Sequence, residues 1–134
     1  MRAIPFLLTA AALAGCTTQP PPPTRTAEAQ AKFAQLTAGK VPGRPITCLP
    51  SYTTGDMVTI DDATVVFKQG SRVYVNHLIS ECDGLKSGFY TLVTRSGGSG
   101  MCRGDISHVT DVRTGMTVGS CAIGDFVPYL PAKG

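Results

Sequence analysis

The sequence lacks a hydrophobic segment long enough to cross a membrane, and it lacks a strong excess of either charge. Its longest apolar stretch, residues 3–15, has about 13 residues, whereas a helix that crosses ~30 Å of hydrocarbon needs about 20. Lysine and arginine number 12, against 9 aspartate and glutamate residues, in a chain of 134. An excess this small and scattered is not the footprint of a nucleic-acid-binding protein, so we expect no nucleic-acid partner.

Motifs that would name a chemistry are also missing. Neither Cys-x-x-Cys nor His-x-x-x-His spacing occurs, and such spacings are typical of zinc sites. No Gly-x-Ser-x-Gly nucleophile elbow is present. The glycine-rich loop at residues 96–100 lacks the Lys-Ser/Thr of a phosphate-binding loop. We therefore predict no catalytic residue, no metal and no cofactor.

Two polar clusters invite an enzymatic interpretation, and each has a simpler explanation. Ser107, His108 and Asp111 lie close in sequence. Adjacent residues of a strand point to opposite faces, so Ser107 and His108 should diverge. Asp61 and Asp62 are adjacent, whereas glycosidase carboxylates face each other across a cleft. We therefore predict that this aspartate pair caps a turn.

The N-terminus has the pattern of an exported bacterial protein. One positive charge, Arg2, precedes the apolar stretch, as in a secretory signal segment. The stretch ends in Leu13-Ala14-Gly15-Cys16, which resembles the lipobox of bacterial lipoprotein precursors. That resemblance implies removal of residues 1–15 and lipidation of Cys16, so that the chain reaches a membrane through this lipid. The alternative is ordinary cleavage after Ala14, which would leave Cys16 as a free thiol.

Five cysteines are present, and an odd thiol in an exported protein needs an explanation. Lipidation of Cys16 supplies one and leaves four cysteines, which can form two disulfides in three ways. We favour Cys48–Cys121, which would tie the first predicted strand to the last full one. Cys82–Cys102 would then close the region around the predicted strand at residues 89–94.

The segment after Cys16 predicts a spacer and a short helix. Residues 20–23 are four consecutive prolines, which favour an extended polyproline helix. Residues 26–38 are rich in helix formers, with Thr26 as the predicted cap and Gly39 as the predicted end. Residues 40–45 then break the helix. We divide the chain into a signal peptide at 1–15, a lipidated tether with a helix at 16–45, and a β domain at 46–134.

Short runs of β-branched residues, separated by turn residues, predict an all-β fold for the folded part. Strands are expected at 46–49, 57–60, 64–68, 72–78, 89–94, 105–112 and 116–122. A last edge strand is expected at 126–129, ended by Pro128 and Pro131. Six to seven strands of this length suit a small disulfide-bonded barrel or a curled antiparallel sheet.

The clearest supersecondary signal is a hairpin between residues 64–68 and 72–78. Its predicted loop is the three residues Gln69-Gly70-Ser71, and a short loop that carries glycine is typical of hairpins. With a loop of this length, Val65 and Phe67 should share one face of the sheet with Val73 and Val75.

The segments around the cysteines resemble a group of small proteobacterial envelope lipoproteins that have no established activity. The stretches that carry the resemblance are Cys48-Leu-Pro, Ile60-Asp-Asp-Ala-Thr-Val, Arg72-Val-Tyr-Val-Asn, Cys82-Asp-Gly-Leu, Met101-Cys-Arg-Gly-Asp and Gly119-Ser-Cys-Ala-Ile-Gly-Asp-Phe. Together, these stretches cover most of residues 46–127. The resemblance implies a compact disulfide-bonded domain and assigns no functional residue.

These patterns together predict a non-enzymatic lipoprotein of the bacterial cell envelope that binds a protein or glycan partner or has a structural role. Thr17, by analogy with enterobacterial sorting, favours the outer membrane, with the domain facing the periplasm. Two alternatives remain open: an inhibitor of a lysozyme-type hydrolase and a small periplasmic hydrolase. A pocket that gathers His77, His108 and a carboxylate would favour the hydrolase, whereas an exposed apolar patch would favour a binding module.

Overall fold

The computed structural model describes residues 25–50, 53–95, 97–98 and 100–133. The predicted signal segment, Cys16 and the four prolines lie outside the described residues. No helix in the described ranges has the length and apolar character needed to cross a bilayer. The helix and strands are α1 (Ala27–Thr37), β1 (Lys40–Pro42), β2 (Cys48–Leu49), β3 (Met57–Asp61), β4 (Thr64–Gln69), β5 (Arg72–His77), β6 (Tyr90–Thr94), β7 (Met101–Cys102), β8 (Ile106–Asp111), β9 (Thr117–Ala122) and β10 (Phe126–Pro131).

The strands form three antiparallel sheets, which confirms the predicted all-β class and the curled-sheet form. The largest sheet has the order β1-β10-β5-β4-β3, a second has the order β6-β8-β9, and β2 pairs with β7. Because β1 and β3 do not pair with each other, the five-stranded sheet is open. Two strands were not predicted, β1 and β7, and they are only three and two residues long.

The predicted hairpin is present, but its loop is one residue shorter than expected. Gln69 pairs with Arg72, so the loop is Gly70-Ser71, with Gly70 at a φ of 58°. Glycine with a positive φ at the first position of a two-residue loop is the mark of a type II′ turn. A shift of one residue moves side chains to the other face of a sheet. The prediction that Val65 and Phe67 share a face with Val73 and Val75 is therefore wrong.

Both faces of the five-stranded sheet are covered as a result of this register. Val66, Val73 and Val75 pack beneath α1, in one cluster with Ala29 and Ile60. Val65 and Phe67 lie in a second cluster that reaches the three-stranded sheet through Val109. Two-sided burial explains why Val65-Val66-Phe67 is a continuous apolar run rather than an alternating one.

Helix α1 begins and ends near its predicted limits, and it packs on the sheet. The hydroxyl of Thr26 accepts a hydrogen bond of 3.2 Å from the backbone nitrogen of Ala29, as a helix cap does. Phe33 makes an edge-to-face contact with Tyr129, with ring centroids 6.1 Å apart. An isolated helix of this length is marginal in water, so these apolar contacts stabilise it.

Strand β10 is interior, which corrects the prediction of an edge strand. It lies between β5 and β1, although Lys40–Pro42 was expected only to break the helix. Proline is normally confined to edges because it has no backbone N–H to donate. The carbonyl oxygen of Pro128 accepts a hydrogen bond of 2.7 Å from Gly43, so its nitrogen points to the same side. That side faces Gly43 and not β5, so the missing N–H of Pro128 removes no hydrogen bond between β10 and β5.

All four described cysteines are paired, but the favoured pairing is wrong. The disulfides are Cys48–Cys102 and Cys82–Cys121, with Cα atoms 4.0 and 5.3 Å apart. The physical reason is the pairing of β2 with β7, which places Cys48 directly opposite Cys102. Cys121, on β9, is thereby left to the loop that carries Cys82.

Candidate functional site

The sequence cluster Ser107, His108 and Asp111 is divided between two faces of β8, as strand alternation predicts. Ser107 and Asp111 are buried, whereas His108 points to the opposite face. The Ser107 hydroxyl contacts the hydroxyl of Thr94. The three side chains therefore do not converge on one reacting centre.

Asp111 stabilises the turn that follows β8. Its carboxylate accepts hydrogen bonds from the backbone nitrogens of Arg113, at 2.8 Å, and Thr114, at 3.3 Å. The backbone bond from Arg113, followed by the Arg113 side chain, lowers the pKa of Asp111. Hydrogen bonds to the charged form of a carboxylate have this effect. Asp111 is thus a turn residue held in its ionised form.

The two histidines lie in different sheets. His77 is the last residue of β5, in the five-stranded sheet, whereas His108 lies in the middle of the three-stranded sheet. Desolvation lowers the pKa of the His77 imidazole, and the charge of Arg25 lowers it further, while Asp61 acts in the opposite direction. By solvent accessibility His77 is an exposed residue at the end of its strand. The two histidines are therefore not partners in one pocket.

A charged cleft of about 390 Å³ lies at the start of α1. Arg25 is its central residue, and Nε donates to Asp61 at 3.2 Å while the other end of the guanidinium donates to Thr64 at 3.3 Å. The guanidinium also stacks on Phe33, 4.2 Å from the ring centroid. Lys32 donates to the carbonyl oxygen of Thr59 at 2.7 Å. The positively charged side chains of Arg25 and Lys32 are thus engaged with groups of the protein itself.

Asp61 and Asp62 form a turn, as predicted. Asp61 accepts a hydrogen bond of 2.9 Å from the backbone nitrogen of Ala63 and also pairs with Arg25. Asp62 accepts one of 2.9 Å from the backbone nitrogen of Lys86 and pairs with its ammonium group at 3.2 Å. The aspartates connect the β3–β4 turn to the helix and to the 3₁₀ helix at Leu85–Ser87. Their role here is to join elements.

The three-stranded sheet has an exposed face, which we call the outer face, whose own strand residues are uncharged; at its margin the Arg113 guanidinium lies 5.2 Å from the ring centroid of Phe89. In β8 the alternation of burial places Ile106, His108 and Thr110 outward. Val93 and Ser120 lie directly opposite His108 on the two neighbouring strands. The outer face comprises Phe89, Thr91, Val93, Ile106, His108, Thr110, Val112, Val118, Ser120 and Ala122.

The outer face concentrates exposed apolar area. Five large apolar side chains of this face are between 44% and 59% exposed: Phe89, Val93, Ile106, Val112 and Val118. They are half of the large apolar side chains that lie exposed in the described residues. Scattered exposed apolar residues are ordinary, but a contiguous apolar patch marks an interaction surface.

No group of three or more histidine, cysteine, aspartate or glutamate side chains in the described part of the chain could hold a metal ion. The outer face was not identified from the sequence. The available signal was the presence of Phe89 and Val93 on one face of the strand predicted at 89–94, with Tyr90 and Leu92 on the other. Sequence alone could not say which face was buried.

Comparison with known proteins assigns no relative to this chain. No family model, curated protein or solved structure matches it. The interpretation of its function therefore depends on its own residues and geometry.

Proposed function

We propose that this chain is a lipid-anchored protein of the bacterial envelope whose β domain binds a protein partner through the outer face. The single observation that carries the binding role is the patch of exposed apolar side chains on the three-stranded sheet. Aliphatic side chains such as Val93, Ile106 and Val118 suit a protein surface, because burying apolar area drives protein association. His108 and the threonines of the face add hydrogen-bonding groups among them.

Two disulfides support the exported location. Disulfides persist in oxidising compartments such as the periplasm and are rare in the cytosol. Pairing of Cys48 with Cys102 and of Cys82 with Cys121 leaves Cys16 as the one cysteine available for lipid. Residues 17–24, if extended, would place the domain within roughly 25 Å of the lipid at 3.1 Å per residue. Arg25, which binds Asp61 and Thr64, would fix the point at which this tether joins the domain.

The anchor can be tested by expressing the full chain and a Cys16→Ser variant in bacteria. We expect the wild-type chain to lose residues 1–15, to carry acyl chains on Cys16 and to sediment with outer membranes. The variant should lack the acyl mass and leave the membrane fraction. Recovery of the wild-type chain from the cytoplasm, uncleaved and with reduced thiols, would contradict the proposal.

The binding role needs a separate measurement. A photoreactive amino acid at Ile106, on the outer face, should crosslink the full chain to one envelope protein in living cells. The same group at Gln35, on the exposed side of α1, is the matched control and should give no such adduct. Adding Val118→Asp to the Ile106 probe should abolish the adduct, because an uncompensated charge is costly in an apolar interface. Equal adducts from both positions would show that the outer face is not the binding surface.

A further inference from the structure

Strand β6 lies at the edge of its sheet, and on one side no described residue pairs with its backbone. The carbonyl oxygen of Phe89 accepts a hydrogen bond of 3.0 Å from Val112, so the backbone groups of Phe89 point toward β8. Alternate residues of a strand bond on the same side, so Thr91 and Val93 also bond β8. The N–H and C=O groups of Leu92 and Thr94 therefore point away from the sheet. They have no hydrogen-bond partner among the described residues.

Strand β3 is a second edge strand, with no paired strand on its outer side among the described residues. The carbonyl oxygen of Asp56 accepts a hydrogen bond of 2.9 Å from Lys68, on the β4 side, so the backbone groups of Met57 point away from the sheet. Further along the same edge, Lys32 covers the carbonyl oxygen of Thr59. Within the described ranges, the backbone of Met57 has no such cover.

A groove of about 400 Å³ lies between these two edges. Residues of both β3 and β6 line it, although the two strands belong to different sheets, and the 3₁₀ helix at Leu85–Ser87 contacts both. Apolar side chains, including Met57, Phe67, Leu92 and Met101, line the groove. None of the described residues that line it is charged. The groove therefore combines backbone donors and acceptors on its walls with an uncharged lining.

We propose that this groove accepts an extended, uncharged peptide segment of the protein partner as an added β-strand. The proposal rests on the binding role proposed above and names the form of the partner. The N–H and C=O groups of Leu92 and Thr94, to which no described residue bonds, have the two-residue spacing that an extended backbone matches. A strand added there would bond β6 along one side and reach Met57 along the other, and so would connect the two larger sheets.

The lining specifies the side chains of that segment. A strand presents alternate residues to opposite faces, so every second residue would point toward Met57, Phe67 and Met101. Methionine adapts to varied apolar shapes, so this lining accepts different apolar side chains at those positions. A charged residue there would lose its hydration without gaining a partner. The remaining residues would lie beside Thr91 and Val93, which belong to both the groove and the outer face.

The test begins with selection of phage-displayed nine-residue random peptides on the full chain. The blocking variant is Gly55→Tyr, because Gly55 lines the groove and a Cβ there meets no atom within 4 Å. The matched control is Gly97→Tyr, where a Cβ also meets nothing and which is not among the groove residues. For synthesised peptides from the selection, the Kd for Gly55→Tyr should be at least about tenfold higher than the Kd for the wild-type chain. They should bind Gly97→Tyr as they bind the wild-type chain.

Amide hydrogen exchange then identifies the binding mode. Bound peptide should slow exchange at Leu92 and Thr94, while the Val93 amide, which already faces β8, should change little. Methylating the alternate peptide nitrogens that would face β6 should weaken binding several-fold, because each removes a hydrogen bond. Enrichment of charged peptides, equal binding to Gly55→Tyr, no enrichment of any peptide, or unchanged exchange at Leu92 and Thr94 would each overturn the groove proposal. A persistent adduct from Ile106 would show in that case that the binding role survives without the groove.

Discussion

The chain's only asparagine gives the sharpest test of how the sheets are held together. Asn76 is fully buried in β5. Its side-chain nitrogen donates to the carbonyl oxygens of Gly124, at 2.8 Å, and Asp125, at 3.3 Å. Its side-chain oxygen accepts a hydrogen bond of 3.1 Å from the backbone nitrogen of Gly124. The side-chain amide of Asn76 thus provides hydrogen-bond partners for backbone groups of the segment between β9 and β10.

Asn76→Ala should be strongly destabilising. It removes these bonds and leaves both the N–H and the C=O of the buried Gly124 without a partner. A buried polar group left unsatisfied costs about 1–3 kcal/mol, so two such groups imply a loss of about 4 kcal/mol. That loss is a large fraction of the ~5–15 kcal/mol that stabilises a typical domain.

Urea unfolding of the full chain with its disulfides intact would measure this change as a difference in the free energy of unfolding. Asn76→Leu refills the volume without restoring the bonds, so its loss should be close to that of Asn76→Ala. Gln69→Ala is the control, because it removes only one partly exposed contact, from the Tyr74 hydroxyl at 3.2 Å. A loss below about 1 kcal/mol for Asn76→Ala, or one equal to that of Gln69→Ala, would refute the reasoning.

Two further measurements test the disulfides and the charged cleft. Mild reduction should open Cys48–Cys102 before Cys82–Cys121, because Cys48 is exposed whereas Cys82 and Cys121 are buried. Differential alkylation with peptide mapping gives the order of opening. Simultaneous opening of the two disulfides would contradict this expectation. Desolvation and then the Arg25 charge depress the pKa of His77, so the unfolded chain binds this proton at higher pH than the folded chain. The free energy of unfolding should therefore decrease as pH falls below about 6.5. In urea titrations at several pH values, His77→Gln should show a smaller decrease. An unaltered pH profile in the variant would contradict the role given to His77.

The sequence predicted most strands but not which way they face. The runs at 64–68 and 72–78 are strong strand patterns, and both strands formed where expected. Orientation depended on the loop, and glycine at position 70 is compatible with either two or three loop residues. Because the loop has one residue fewer than predicted, Val66 and not Val65 lies on the same face of the sheet as Val73 and Val75. A local pattern cannot resolve that choice when both faces are buried.

The disulfides were mispredicted because β7, the strand that pairs with β2, is too short to leave a pattern. Each has two residues, and together they place Cys48 opposite Cys102 across the fold. Hydrophobic periodicity needs at least four residues to indicate a strand. The number of disulfides followed from an even set of cysteines, whereas their connectivity required the tertiary structure.

The outer face illustrates a different limit. In β8, the outward residues Ile106, His108 and Thr110 are no more polar than the inward residues Ser107, Val109 and Asp111. Each set has one aliphatic residue, so alternation alone gives no direction. The inward polar residues are tolerated because their partners lie nearby: Thr94 for Ser107, and the backbone after β8 for Asp111.

The four outer edges of the two larger sheets differ in a way that links the outer face to the groove. Edges are normally protected by charge, proline, bulges or covering elements. Edge β1 carries Lys40 and Pro42, and β3 is covered by Lys32 along part of its length.

Edge β9 is covered at its end, where Ala122 accepts a hydrogen bond from Ile79, and a bulge at Val118 interrupts it. Along β6, no described residue protects Leu92 and Thr94 in any of these ways. That edge adjoins both the uncharged groove and Val93 of the outer face. An unprotected edge beside an exposed apolar face favours strand pairing with other chains. A partner segment that fills the groove would cover this edge, so adding that segment should reduce self-association of the full chain, which light scattering would measure.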